Sequence, residues 1–270
     1  MDYLYLAGDV SKLLSSGRAD TLKEALNLAI LGNARRGHII MSATEHNSVV
    51  RPVMQLKAKG IVDVSVVNPD QSGQVTVQSL QNVLRKDTYM LCINQASNVT
   101  GKAQDLREIG AFARVNNLIF LCDCAQSMGY FPTDMVKNNI DIVAIAGHKG
   151  LHAMQGVGAL IFNDRAIPKP IKFGGTGTES NLITQPKNLP EALESGTLPC
   201  PNIVALNAGI DWWLDNYKNS AKNITWCQNM LLDGLASIPH VTVYSEVNKS
   251  GIVAFNVGQM DSNFVADYLL

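Results

Sequence analysis

Apolar positions along this chain fall into two textures that take turns. One is the spacing of three and four residues that makes an amphipathic helix. It runs through TLKEALNLAILGNA from Thr21, SVVRPVMQLKAKG from Ser48, TVQSLQNVLR from Thr76 and DLREIGAFARVNN from Asp105. The other is a short, almost unbroken apolar run with β-branched or aromatic members: HIIMSA, IVDVSVVN, TYMLCIN, LIFLC, DIVAIA and VGALIF. Runs of that kind suit strands covered on both faces, the usual condition of a parallel sheet. Gly60 stands where the second helix needs a C-cap, and NPDQSG is a turn built from residues that favour one. Strand and helix in alternation predict an α/β fold, a mainly parallel mixed sheet with helices on both faces.

After VGALIF the texture changes. Residues 171–201 are rich in Gly, Pro, Ser and Thr and read as one long loop. A loop of that length in a compact domain usually serves a function or stays without fixed structure. A helical stretch follows from about residue 202 to 235. VTVYS and GIVAFNV then read as strands of a different unit, and VADYLL as part of a helix. The expected division is a large domain over residues 1–235 and, over 236–270, the start of a small α+β C-terminal domain whose remainder is expected beyond the last residue.

Composition narrows the class. Apolar residues make up 46% of the 270 residues, which suits a folded, enzyme-sized chain rather than a disordered one. A net charge of -1 gives no electrostatic case for nucleic acid or an anionic membrane surface. No run approaches the roughly 18 to 20 apolar residues of a membrane span. The start, MDYLYLAGDVSKLL, lacks the basic, cleavable pattern of a secretory signal. Five cysteines, an odd number with three in or beside predicted strands, point to reduced thiols and a cytoplasmic setting. Cys122-Asp-Cys124 is not a CxxC pair. Alternation along the strand is expected to turn the two sulfurs to opposite faces, which sets aside a zinc or redox pair. No metal site is expected.

The chemistry gathers at strand ends. Asp123-Cys-Ala-Gln126 follows LIFLC, and Gly147-His148-Lys149 follows DIVAIA. In an open α/β sheet the carboxyl ends of the strands form the ligand edge. A lysine and a carboxylate on that edge suit pyridoxal 5'-phosphate (PLP), which needs a Schiff-base lysine and an acid beside its pyridine nitrogen. Each residue also has a plain reading. Lys149 alone is a solvated lysine at a loop junction, and Asp123 a helix N-cap that Gln126 completes as a capping box. His46 is a ring to stack on a cofactor or a neutral acid/base, or simply a hydrogen-bonded histidine at a strand terminus. Asn98, in SNVTG, bonds a substrate or cofactor, or forms an Asx-turn before Gly101. Gly174-Gly-Thr-Gly177 offers amides and a hydroxyl to phosphate, a weak signal alone. Together, on several strand ends, they favour the PLP reading.

These residues resemble a known family. EHNSVVRP, SNVTG, DCAQS, AGHKG followed by QGVGALIF, FGGTGTES and ESGT are similar, in order, to segments of the class V aminotransferases. These are fold-type I PLP enzymes, and the likeness is to their cysteine desulfurase and selenocysteine lyase-like branch. It covers roughly residues 21–260. The resemblance implies that Lys149 carries the Schiff base, Asp123 pairs with the pyridine nitrogen and Gln126 contacts the ring oxygen. It implies that His46 stacks on the ring, Asn98 lies near substrate and His148 helps hold the phosphate. It further implies a homodimer in which Gly175 and Thr176 reach the phosphate of the neighbouring subunit. Two positions depart from the family pattern. Lys23 stands where a Thr is usual ahead of the phosphate-cupping helix, and Ala146 where a Ser or Thr is common before Gly-His-Lys.

The activity so implied is removal of sulfur, or selenium, from a cysteine-type amino acid to leave alanine, with Lys149 or His46 moving the proton and an acceptor thiol taking the sulfur. Transamination or another PLP elimination is the alternative within the family. A third reading is a shortened relative that folds and dimerises without turnover. The family's substrate-carboxylate arginine and sulfur-accepting cysteine belong to a C-terminal region with no counterpart among these residues.

Overall fold

The computed structural model describes residues 18–19 and 22–269. Expectations for the N-terminal stretch and for Thr21 lie outside the described residues. Strand β1 covers Arg18–Ala19, β2 Gly37–Ser42, β3 Val62–Val67, β4 Thr88–Asn94, β5 Ile119–Asp123, β6 Ile142–Ala146 and β7 Gly158–Phe162. They form one sheet in the order β1-β7-β6-β5-β4-β2-β3. Strands β2 to β6 pair in parallel, whereas β7 lies antiparallel to β6 and β1 antiparallel to β7. The mixed, mainly parallel sheet is the one the alternation predicts.

Helices cover both faces because neighbouring strand residues point opposite ways. Helix α1 (Leu22–Gly32) and helix α2 (Asn47–Ala58) lie over Ile39, Met41, Met90, Cys92, Leu121, Ile142 and Ala144. Helices α3 (Val77–Val83), α4 (Leu106–Val115) and the first part of α5 (Cys200–Ala236) lie over Ile40, Leu91, Ile93, Phe120, Cys122, Val143 and Ile145. Each fully buried Leu, Ile or Phe contributes about 1.5–3 kcal/mol, so two continuous cores on one sheet make it the rigid part of the molecule. Side-chain caps fix where these helices start: Thr76 accepts from Ser79 N, and Asp105 from Arg107 N and Glu108 N.

The long 171–201 segment is mostly irregular, as expected. It also holds a 3₁₀ turn, Glu191–Leu193, whose Ala192 and Leu193 are buried on the α1 side. Beyond α5, β8 (Val241–Val243) and β9 (Phe255–Val257) form a separate two-stranded antiparallel sheet, followed by helix α6 (Ser262–Leu269). This C-terminal segment is attached to the loop after β4. Ser245 Oγ donates to Thr100 O at 2.8 Å, and Lys102 Nζ lies 3.3 Å from Glu246 Oε2. No helix among the described residues is long and apolar enough to cross a membrane.

Candidate functional site

Four of the parallel strands, β2, β4, β5 and β6, are immediate neighbours, so their carboxyl ends open on one edge. The loops that leave them carry Glu45 and His46, then Asn98, then Asp123 and Gln126, then His148 and Lys149. The chain also reverses its direction of winding here. From β2 it crosses to β3 on one side and returns as β4 on the other. Such a switch point leaves a crevice between strand ends, where ligands of open α/β sheets bind.

Among the described residues Lys149 is held by backbone rather than by side-chain bonds. Its loop is pressed on the turn after β5: a Cβ on Gly150 would lie 2.2 Å from Met128 O, and one on Gly129 would lie 2.3 Å from Gly150 O. Helix α5 closes the third side. Trp213 Nε1 donates to Gly129 O at 2.6 Å, and Gly209 packs against Leu151 O. The Lys149 side chain is half-buried, and burial pulls its pKa below the ordinary lysine value, against the opposing pull of Asp123. Asp123 is 4% exposed. Its Oδ1 accepts from Ala125 N at 2.9 Å, and its other oxygen takes no hydrogen bond among the described residues. Burial raises its pKa, while the Ala125 amide, Lys149 and His46 hold it down. The capping reading is met only in that short turn, since no helix follows Asp123 and Gln126 makes no capping bond.

His46 is the N-cap of α2, with Nδ1 accepting from Ser48 N at 3.1 Å. Its ring is exposed between two clefts. One, of about 430 Å³, is shared with Thr44, Ser97 and Asn98; the other, of about 590 Å³, with Lys23 and Arg51. Asn98 is exposed, and the Asx-turn reading does not hold: Ser97 Oγ takes the amides of Val99 and Thr100 instead. His148 is exposed at the loop tip. Gly175 and Thr176 lie on the 171–201 segment and make no hydrogen bond to the strand-end residues. Gly175 O accepts from Gly196 N, and Thr176 Oγ1 donates to Thr178 O. The structure therefore brings together Lys149, Asp123 and His46, and leaves Gly175 and Thr176 apart from them.

One expectation is corrected. Cys122 and Cys124 do not face apart: Phe120, Cys122 and Cys124 all join the core under α4 and α5, and the two sulfurs are 3.5 Å apart. Positions two apart on a strand share a face; only adjacent ones alternate. Both sulfurs are buried, and burial pushes the Cys122 thiol well up, which leaves that sulfur a poor nucleophile.

Glu45 is the residue whose role the sequence did not reveal. Its Oε1 accepts from Ser42 Oγ at 2.6 Å and from Asn94 N at 2.7 Å, while its Oε2 is buried without a partner among the described residues. Burial pushes its pKa up to about 8. An acidic residue ahead of His46 was visible as a letter. That it turns inward, away from solvent, was not.

The family model for aminotransferase class-V matches residues 21–270. The mitochondrial cysteine desulfurase of Eremothecium gossypii is 31% identical over 227 residues, which cover 82% of this chain and 44% of that protein. A probable mitochondrial cysteine desulfurase of Dictyostelium discoideum is 31% identical over 252 residues, 88% of this chain and 53% of that one. The crystal structure of the cysteine desulfurase CsdA from Escherichia coli superposes with a TM-score of 0.84 at 22% identity, covering 93% of this chain and 66% of that one. That likeness shows a common fold. The chain spans about half the length of the curated relatives it matches.

Proposed function

The chain belongs to the class-V aminotransferase family, and from that premise we propose that it is the PLP-binding body of a cysteine desulfurase-like enzyme. The observation that carries this reading is the meeting of Lys149 and Asp123 on adjacent strand ends, each within the other's electrostatic reach. PLP, when bound, supplies an electron sink that eases bond breaking at the substrate α- and β-carbons. The donor set fits it. A half-buried lysine of lowered basicity is a suitable Schiff-base partner, and a buried carboxylate with a free oxygen is a suitable partner for a protonated ring nitrogen. His46 is taken to cover the ring and Gln126 to reach its oxygen, with His148 toward the phosphate and Asn98 toward the substrate.

The remaining roles follow the same reading. Lys149 takes the proton, and His46, whose Nδ1 already accepts from Ser48 N, offers a hydrogen bond from its other nitrogen. The substrate is a cysteine-type amino acid, left as alanine once its sulfur has gone to an acceptor thiol, and the relatives' names support that choice. Gly175, exposed, and Thr176, half-buried, are both unengaged with their own strand-end group and suit service to the phosphate of a second subunit in a homodimer. We take residues up to 235 as the large domain and 236–270 as the first part of a small one. Free cysteines among the described residues fit a reducing compartment, in our reading the cytoplasm.

The test is spectroscopic first. Purified chain mixed with PLP is expected to gain a visible absorption band that Lys149→Ala lacks. A chain that gains no band refutes the cofactor reading. Sulfide release from cysteine in the presence of a thiol, lost in the same variant, is expected next. A banded but sulfide-silent chain that converts an amino acid to its keto acid would make it a transaminase instead.

A further inference from the structure

Two carboxylates are buried at this one strand edge, and their surroundings differ. Asp123, at the end of β5, receives the influence of two basic side chains, Lys149 and His46, and a hydrogen bond from the Ala125 amide. Glu45, in the loop after β2, has no basic side chain acting on it among the described residues. Among the described residues the one charged group acting on it is Asp123, of its own sign; its other partners are the Ser42 hydroxyl and the Asn94 amide, both bound to Oε1. The remaining titratable neighbours are the buried thiols of Cys92 on β4 and Cys122 on β5, whose own pKa values Glu45 helps to raise. Oε2 has no hydrogen-bond partner among the described residues. A buried carboxylate with an unpartnered oxygen and only a like charge acting on it favours its protonated form, whereas the two basic side chains beside Asp123 favour its charge.

Position adds to this. Glu45 spans the switch point: through Oε1 it ties the carboxyl end of β2, at Ser42, to that of β4, at Asn94. The tie is doubled by Thr44, whose Oγ1 donates to Asn94 Oδ1 at 3.2 Å and whose carbonyl accepts from Asn94 Nδ2 at 2.6 Å. The loops that carry His46 and Asn98 leave from these two ends.

We propose that Glu45 is a positioning residue that serves as a neutral acid: it locks the ends of β2 and β4 together and leaves Asp123 as the sole ionised carboxylate of the site. Two carboxylates with divergent surroundings divide the work in this way, one holding the proton and the other the charge. This rests on the PLP reading only in its consequence, since one negative charge beside the ring nitrogen is what that cofactor needs. When Glu45 ionises, near pH 8, a second charge enters the pocket.

The test does not depend on turnover. Infrared difference spectra between the chain and Glu45→Gln, near neutral pH and without cofactor, should show a protonated-carboxyl stretch that the variant lacks. In the parent chain that band should fade as pH rises through about 8. A band kept in Glu45→Gln but lost in Asp123→Asn would put the proton on Asp123 and overturn the proposal, as would the absence of any such band. Thermal unfolding gives a second readout. An unfolded glutamate ionises near 4.5 and this one near 8, so between those values the folded chain holds a proton the unfolded chain has lost. Its contribution to stability falls over that interval and levels off above it. Glutamine keeps the acceptor for Ser42 and Asn94, so the Tm of Glu45→Gln relative to the parent should climb between about pH 5 and about pH 8. A flat difference argues that Glu45 is merely structural. If PLP gives no visible band, the functional reading fails while the infrared result still decides the proton. If a band forms and responds to pH identically in parent and variant, the Glu45 inference fails and the functional reading stands.

Discussion

His38 opens β2 at the far edge of the sheet from Lys149, and both of its ring nitrogens are engaged. Nδ1 is 2.8 Å from Thr88 Oγ1 on β4, and Nε2 is 2.9 Å from Ser65 Oγ on β3. The side chain is fully buried, and burial, helped by Arg85, lowers its pKa below 6.5. A histidine with a depressed folded-state pKa stabilises the fold above its unfolded value and loses that contribution as it is forced to take a proton. Denaturant unfolding should therefore show stability falling as pH drops below about 6.5, with a shallower fall in His38→Gln. An unchanged slope in the variant would assign the acid sensitivity to other groups. Residues of this kind set the pH range over which strands β2, β3 and β4 stay in register, independently of any chemistry at the opposite edge.

At the scale of elements, the loop after β6 owes its position to glycine. Gly129 has a φ of 93°, a conformation costly for any other residue, and Gly150 lies against it with no room for a methyl group. Gly150→Ala sets its Cβ against a backbone oxygen that cannot swing away. The expected cost is on the order of 1–3 kcal/mol by chemical denaturation, with weaker PLP binding. Gly175→Ala, with open space around its Cβ, should stay within about 0.5 kcal/mol of the parent. The elements themselves were legible in the sequence: TYMLCIN became β4 residue for residue, and DIVAIA and LIFLC became β6 and β5 within one residue at either end. Period and apolar run length carry that information directly. What stayed hidden were contacts between distant segments: the Gly129–Gly150 approach, the Trp213 bond and the inward turn of Glu45. Each depends on which loops the sheet order makes neighbours, and no local pattern encodes that. The cysteine pair was misjudged for another reason, a parity error on a strand whose position was right.

Across the molecule, the C-terminal segment bears on the same edge. Ser245 Oγ bonds Thr100 O, and Asn248 lies where a Cβ on Gly101 would sit, 2.5 Å from its Nδ2. The loop that presents Asn98 is thus braced from outside the main sheet. Ser245→Ala removes one such bond, worth about 1 kcal/mol, and amide exchange at residues 97–101 should quicken while the core strands are unaffected. Unchanged exchange there would mean that the brace lies elsewhere. A comparable link joins helix α2 to the site through His46, and it decides what that imidazole can do. The Ser48 amide always donates, so the lone pair on Nδ1 is already engaged and the neutral ring must be the Nε2–H tautomer. Facing the cleft, His46 can offer a hydrogen from Nε2. To accept one it would first have to release the start of its own helix, which leaves the base in any proton shuttle to Lys149.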